Sequence, residues 1–67
     1  MAASQVVLPE LPTGLIKSFG RIGPKYEVGR RLRQNASGDW MISIVLVETG
    51  EQTEYLYSQM LNDPEAA

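Results

Sequence analysis

Any chemistry in this 67-residue chain has to be done without histidine or cysteine, since it contains neither. The commonest general base, the commonest metal ligand and the thiolate nucleophile are therefore all missing. Serine, threonine, tyrosine, lysine and carboxylates remain, with nothing to activate or relay a proton for them. Glu48, Glu51 and Glu54 are close enough in sequence to gather at one end of a hairpin, where carboxylate oxygens would suit a hard cation such as Mg²⁺ or Ca²⁺. Acidic groups at a hairpin tip are far more often simply solvated. The expectation is a protein that is not an enzyme and holds no cofactor and no metal.

What these side chains can do is bind. All six basic residues, Lys17, Arg21, Lys25, Arg30, Arg31 and Arg33, fall between positions 17 and 33, where Glu27 is the lone acid. That stretch carries +5 and the rest of the chain, with seven acids, carries -7, which together give the net charge of -2. One reading sets basic and acidic strands side by side, each neutralising the other. The sharper one makes Lys17, Arg21, Lys25, Arg31 and Arg33 a surface for an anion or a nucleic acid. Small β-barrels bind single strands with such cations and exposed aromatic rings. The acidic total weighs against this, as does the expected burial of Trp40, Tyr55 and Tyr57. Gly20-Arg21-Ile22-Gly23-Pro24 lacks the spacing of a phosphate-binding loop and reads as a turn.

These groups are positioned by strands. Trp40-Met41-Ile42-Ser43-Ile44-Val45-Leu46-Val47 has a single polar member and is apolar on both faces, which marks a strand inside a sheet. Residues 15–19 and 26–33 alternate well enough for two earlier strands, separated by the Gly20 to Pro24 turn. Residues 34–38 make the next turn, setting Val28 beside Ile44, Arg30 beside Ile42 and Leu32 beside Trp40. A tight hairpin at Thr49-Gly50 then places Leu46 opposite Thr53, Ile44 opposite Tyr55 and Ile42 opposite Tyr57. A bulged turn with Gly50 in the left-handed region is the alternative. The expected core is Tyr26, Val28, Leu32, Trp40, Ile42, Ile44, Leu46, Tyr55 and Tyr57, with Arg30 as a charged misfit that must reach the edge or a carboxylate. Ser58 as N-cap and Pro64 as terminator bracket one C-terminal helical turn carrying Met60 and Leu61.

The fold expected is mostly β: a three- to four-stranded antiparallel meander or small SH3-like barrel with one C-terminal helical turn. Residues 1–13, with Pro9 and Pro12, read as a flexible arm whose Val6-Val7-Leu8 triplet can lie on a sheet edge. Residues 14–63 form the single domain and residues 64–67 fray. The first residues lack a basic leader and no apolar run is long enough to span a bilayer, so the expectation is a cytoplasmic protein without a membrane partner.

Ser18-Phe19-Gly20, Gly23-Pro24-Lys25-Tyr26-Glu27-Val28, Leu32-Arg33, Gly38-Asp39-Trp40, Leu46-Val47-Glu48-Thr49-Gly50-Glu51, Glu54-Tyr55 and Asp63-Pro64-Glu65 together resemble a small bacterial family catalogued only as a domain of unknown function. The resemblance covers residues 15 to 65. It implies a short stand-alone bacterial protein and supplies no activity or ligand. Where such proteins often have a proline near position 31, this chain has Arg31. The function expected is therefore interaction, with itself as a homodimer or other homo-oligomer, or with another protein in a regulatory or toxin-neutralising role. Met41, Val45, Val47 and Leu56, or the edge of an outer strand, would supply the surface.

Overall fold

The computed structural model describes residues 10–66, so the Val6-Val7-Leu8 triplet lies outside the described residues. Four strands, β1 (Ile16–Ser18), β2 (Lys25–Gln34), β3 (Trp40–Leu46) and β4 (Gln52–Leu56), precede one helix, α1 (Tyr57–Asn62). The strands form one antiparallel sheet in the order β1-β2-β3-β4. The meander is present and open: β1 and β4 are its two edges, and no barrel closes.

β3 lies inside the sheet, as its two apolar faces require. Its Ile42 and Ile44 are fully buried against Tyr26 and Val28 of β2 and Met60 of α1. Leu11, Leu15, Phe19, Leu46, Tyr55 and Tyr57 pack around this centre. Leu32 and Trp40, expected in the core, are only half-buried, because the β2–β3 register changes along its length. Tyr26↔Leu46 and Val28↔Ile44 are paired as expected, but two irregularities then bring Arg31 opposite Ile42 and Gln34 opposite Trp40.

The first irregularity falls where Gly29 crosses β3. A Cβ on Gly29 would stand 2.2 Å from Ser43 Oγ and 2.7 Å from Ser43 O, so only glycine fits. The Ser43 hydroxyl accepts a hydrogen bond from the Arg30 N–H at 2.9 Å, replacing the acceptor that the interrupted ladder withdraws. The extra β2 residue carries Arg30 out to solvent, and the expected charged misfit in the core does not arise.

The β3–β4 connection is longer than a two-residue tip. Residues 47–50 form the loop, closed by the Leu46 N–H donating to Glu51 O at 2.8 Å, with Gly50 left-handed at φ 75°. β4 is thereby displaced by two residues, so that Ile42 faces Tyr55 and Ile44 faces Thr53. An even displacement keeps every side chain on its expected face. Tyr57, however, leaves the strand and opens α1. The helix starts two residues earlier than expected, with Leu56 at its N-cap position, and the Ser58 hydroxyl instead donates to Asp39 Oδ2.

At the far end, residues 64–66 run along β1 rather than projecting from the fold. Ser18 N–H donates to Pro64 O at 3.1 Å, Ala66 N–H donates to Ile16 O at 2.9 Å, and Glu65 forms an antiparallel bridge with Lys17.

Candidate interaction surfaces

The tail is held by Asp63. Pro64 disfavours the helical conformation for the residue before it, and Asp63 leaves α1 with φ -79° and ψ 144°. Its Oδ2 accepts hydrogen bonds from the Tyr26 hydroxyl at 2.7 Å and the Tyr55 hydroxyl at 2.8 Å, while Oδ1 faces the Gly20 N–H at 3.3 Å. Phe19 packs against both phenols, tilted on Tyr26 with ring centroids 4.5 Å apart and edge-on to Tyr55 at 5.1 Å. Burial first, and then the hydrogen bond to the Asp63 carboxylate, push the Tyr55 phenol up to about 12. The same two causes push Tyr26 up as well. Neither phenol is a base at neutral pH, so this cluster binds the chain to itself and offers no proton-transfer chemistry. The sequence marks Pro64 as the helix terminator and gives the Asp63 side chain no role of its own. The Asp-Pro pair was the available signal that its side chain is turned off the helix axis.

The five cations expected to share a surface do not come together. Lys17 is buried, and its Nζ donates to Met60 O at 2.6 Å, a carbonyl in the last turn of α1 that also accepts from the Asp63 N–H at 3.2 Å. It is therefore removed from the basic surface, because its ammonium is turned onto the end of α1. Arg33 forms a two-pronged pair with Glu54, at 2.8 and 3.1 Å. That bond holds the Glu54 carboxyl below the usual carboxylate range. The Arg31 guanidinium lies 5.8 Å from the centre of the Trp40 ring. Arg21 and Lys25 are exposed beside one another at the β1–β2 connection.

The apolar set is divided too. Met41 and Leu56 face each other across β3 and β4, and both are half-buried. Val45 lies between Glu27 and Gln52 on the same face. Glu54, which faces Ser43, and Arg33, which faces Met41, stand with their ion pair between these two groups. Val47 has left the strand; it is 50 % exposed, and its N–H bonds Lys25 O at 3.0 Å. It therefore neighbours Lys25 rather than Met41.

The sheet edges differ in cover. β1 carries residues 64–66, whereas among the described residues no hydrogen bond leaves the outer side of β4. Starting from the Leu46 to Glu51 bond, the alternation of an antiparallel ladder turns the backbone groups of Gln52 and Glu54 outward, whereas the Leu56 carbonyl, at the N-cap of α1, belongs to the helix. Among the described residues no three acidic side chains form a metal site, and Glu54 is turned to Arg33 instead of toward Glu48 and Glu51. No helix among them is long and apolar enough to cross a membrane.

Comparison with known proteins adds relatives without activities. A family model described as "Family of unknown function (DUF5397)" matches residues 4–67. An uncharacterised protein of Haemophilus influenzae strain Rd is 42% identical over 57 residues, a span that takes in 85% of this chain and 90% of the relative. The segments that carry the resemblance have structural duties here. Phe19, Gly20, Tyr26, Tyr55 and Asp63 build the aromatic clasp, Asp39 ties the β2–β3 loop to α1, and Gly50 closes the last hairpin.

Proposed function

The chain belongs to this small family of unknown function, and we propose that it works as a non-enzymatic interaction protein whose β4 edge pairs with the β4 edge of a second copy. The unpaired edge carries this reading. Five residues long, β4 contains no proline, no lysine and no irregularity, the usual devices that keep an open edge from pairing. Glu54, its single charge, is already matched by Arg33. Met41 and Leu56 supply apolar surface beside one end of it, and a twofold axis across β4 would join two such patches in a self-complementary interface. The same edge would also accept a strand from a different protein, as a regulatory or toxin-neutralising partner requires. Nucleic acid is the weaker alternative, since Phe19, Tyr26 and Tyr55 are packed against one another and Trp40 lies beneath Arg31. The absence of cysteine suits a reducing, cytoplasmic setting.

Molar mass by light scattering tests the reading. The native chain is expected at twice its formula mass. Gln52→Pro, which removes an outward N–H without touching a bond to β3, is expected to run as a monomer with an unchanged circular dichroism spectrum. Val45→Glu, on the sheet face, is expected to remain dimeric. A native chain that stays monomeric at high concentration, or a Gln52→Pro variant that keeps the dimer mass, overturns it.

A further inference from the structure

We infer that the β4 edge recognises its own copy through Gln52-Thr53-Glu54, pairing antiparallel with the same triplet so that Thr53 lies on the twofold axis and Gln52 faces the partner's Glu54. This register rests on the dimer proposed above and names the residues that decide its specificity. Two identical edges related by a twofold axis across the sheet run antiparallel, and outward-turned groups must meet outward-turned groups. The axis therefore passes through a residue, not between two. With Thr53 on it, Gln52 and the partner's Glu54 exchange two bonds and symmetry supplies two more, which engages every N–H and C=O that these residues turn outward. Neighbouring registers satisfy fewer groups. An axis through Gln52 brings Glu54 against the partner's Gly50, whose N–H already donates to Leu46 O at 2.7 Å. An axis through Glu54 or Tyr55 calls on the Leu56 carbonyl, which at the N-cap of α1 belongs to the helix.

The side chains favour the same register. Gln52, Thr53 and Glu54 are all exposed, so a second copy meets them as they stand. Each Glu54 carboxylate oxygen accepts one hydrogen bond from Arg33 and keeps a second acceptor site. The partner's Gln52, directly opposite on the same face, brings a neutral amide donor to that site and leaves the Arg33–Glu54 pair intact. An axis through Glu54 would instead set two carboxylates opposite each other, a destabilising pair. On the other face the two Thr53 side chains meet at the close, non-hydrogen-bonded position, where threonines pair well. Leu56 comes to lie across from the partner's Gly50, which puts the Met41–Leu56 patch at each end of the joined edge against the partner's β3–β4 turn. A strand carrying a carboxylate where this chain has Gln52 would be refused by Glu54, and that contact separates a second copy from other strands.

The chain has no cysteine, so single cysteines introduced into it report the register by oxidative cross-linking. Across a non-hydrogen-bonded pair the Cα atoms lie about 4.5 Å apart, within disulfide range, whereas diagonal neighbours at about 7–8 Å lie beyond it. Thr53→Cys is therefore expected to form a covalent dimer, and Gln52→Cys and Glu54→Cys are not. Ile22→Cys, at a fully exposed position on the β1–β2 connection, gives the collisional rate, which Thr53→Cys should exceed about tenfold or more. Gln52→Glu is expected to weaken association about tenfold, because like charges then face each other twice, while Gln52→Lys leaves it at least as tight. A particle of twice the formula mass in which Glu54→Cys cross-links faster than Thr53→Cys, in which neither exceeds Ile22→Cys, or in which the two Gln52 variants behave alike overturns the register and leaves the dimer standing. A chain that is monomeric by light scattering overturns the dimer, and the register with it.

Discussion

Along β1 the chain covers its own sheet edge, whereas along β4 it leaves a longer run of backbone facing outward. The covered edge is only three residues long, yet Met60, Asp63 and residues 64–66 are all brought to it from the far end of the sequence. The bare edge receives a single exposed ion pair on its face. The difference teaches where a small domain places its cohesion. A chain this short has little core to spare, and here the polar and aromatic contacts are concentrated where two segments meet at β1, so that β4 can stay open without loosening the rest.

The largest expected effect comes from breaking the covered side. Asp63→Ala would strip the acceptor from two buried or half-buried phenols, at roughly 1–3 kcal/mol for each unsatisfied group. Against a total stability of about 5–15 kcal/mol, thermal denaturation should shift downward by ten degrees or more, on the order of 4–8 °C for each kcal/mol lost. A change of only a degree or two would mean that the clasp is not what secures β1. Tyr26→Phe, which removes donor and demand together, should cost much less.

Alkali should loosen the same region more gradually. Tyr55 rises on folding from 10.0 to about 12. Between those values the unfolded chain has released a proton that the native chain retains, so stability is intact below 10.0 and falls as pH rises toward 12. Tyr26 is shifted in the same sense and adds to the loss. Tyrosinate absorbance from these two phenols should therefore appear together with the loss of circular dichroism. Their ionisation in a fully folded chain near pH 10 would contradict the clasp. The smallest effect belongs to the bare side. Arg33→Gln, which opens a fully exposed pair, should leave the melting temperature nearly unchanged, and added salt should erase what difference there is.

Much of this architecture is legible in the residues themselves. Alternation and glycine-rich turns identify the meander, and the apolar run of β3 places it inside the sheet. The face of each β3 residue survives even where the register does not, because a displacement of two leaves the pleat in phase. Gly50 signals a left-handed turn, but loops of two and four residues both make use of one, and that ambiguity is the displacement. Gly29 and Arg30 are harder, since the irregularity depends on a hydroxyl thirteen residues away from Arg30. Lys17 and Asp63 lie beyond local reading altogether, with partners as far as 43 residues off. The cations cluster between positions 17 and 33, which suggests either one basic surface or neutralisation by acidic neighbours. Alternating strand faces, an irregular β2 and the end of α1 scatter the cations, leaving Arg21 and Lys25 together.

The sequence distances within the clasp also bear on time. The sheet is assembled from neighbours, but Tyr26 meets Asp63 across 37 residues and Gly20 meets it across 43. Closing such long loops is entropically costly until the intervening hairpins already hold their ends close. The meander is therefore expected to come together first, with the carboxylate engaging after the rate-limiting barrier, so that Asp63→Ala should speed unfolding and leave the refolding rate nearly unchanged in stopped-flow measurements. Contacts made beyond that barrier leave the speed of folding almost untouched and govern the rate of escape. Asp63 is in this sense a latch: it sets how long a folded molecule lasts, not how quickly one appears.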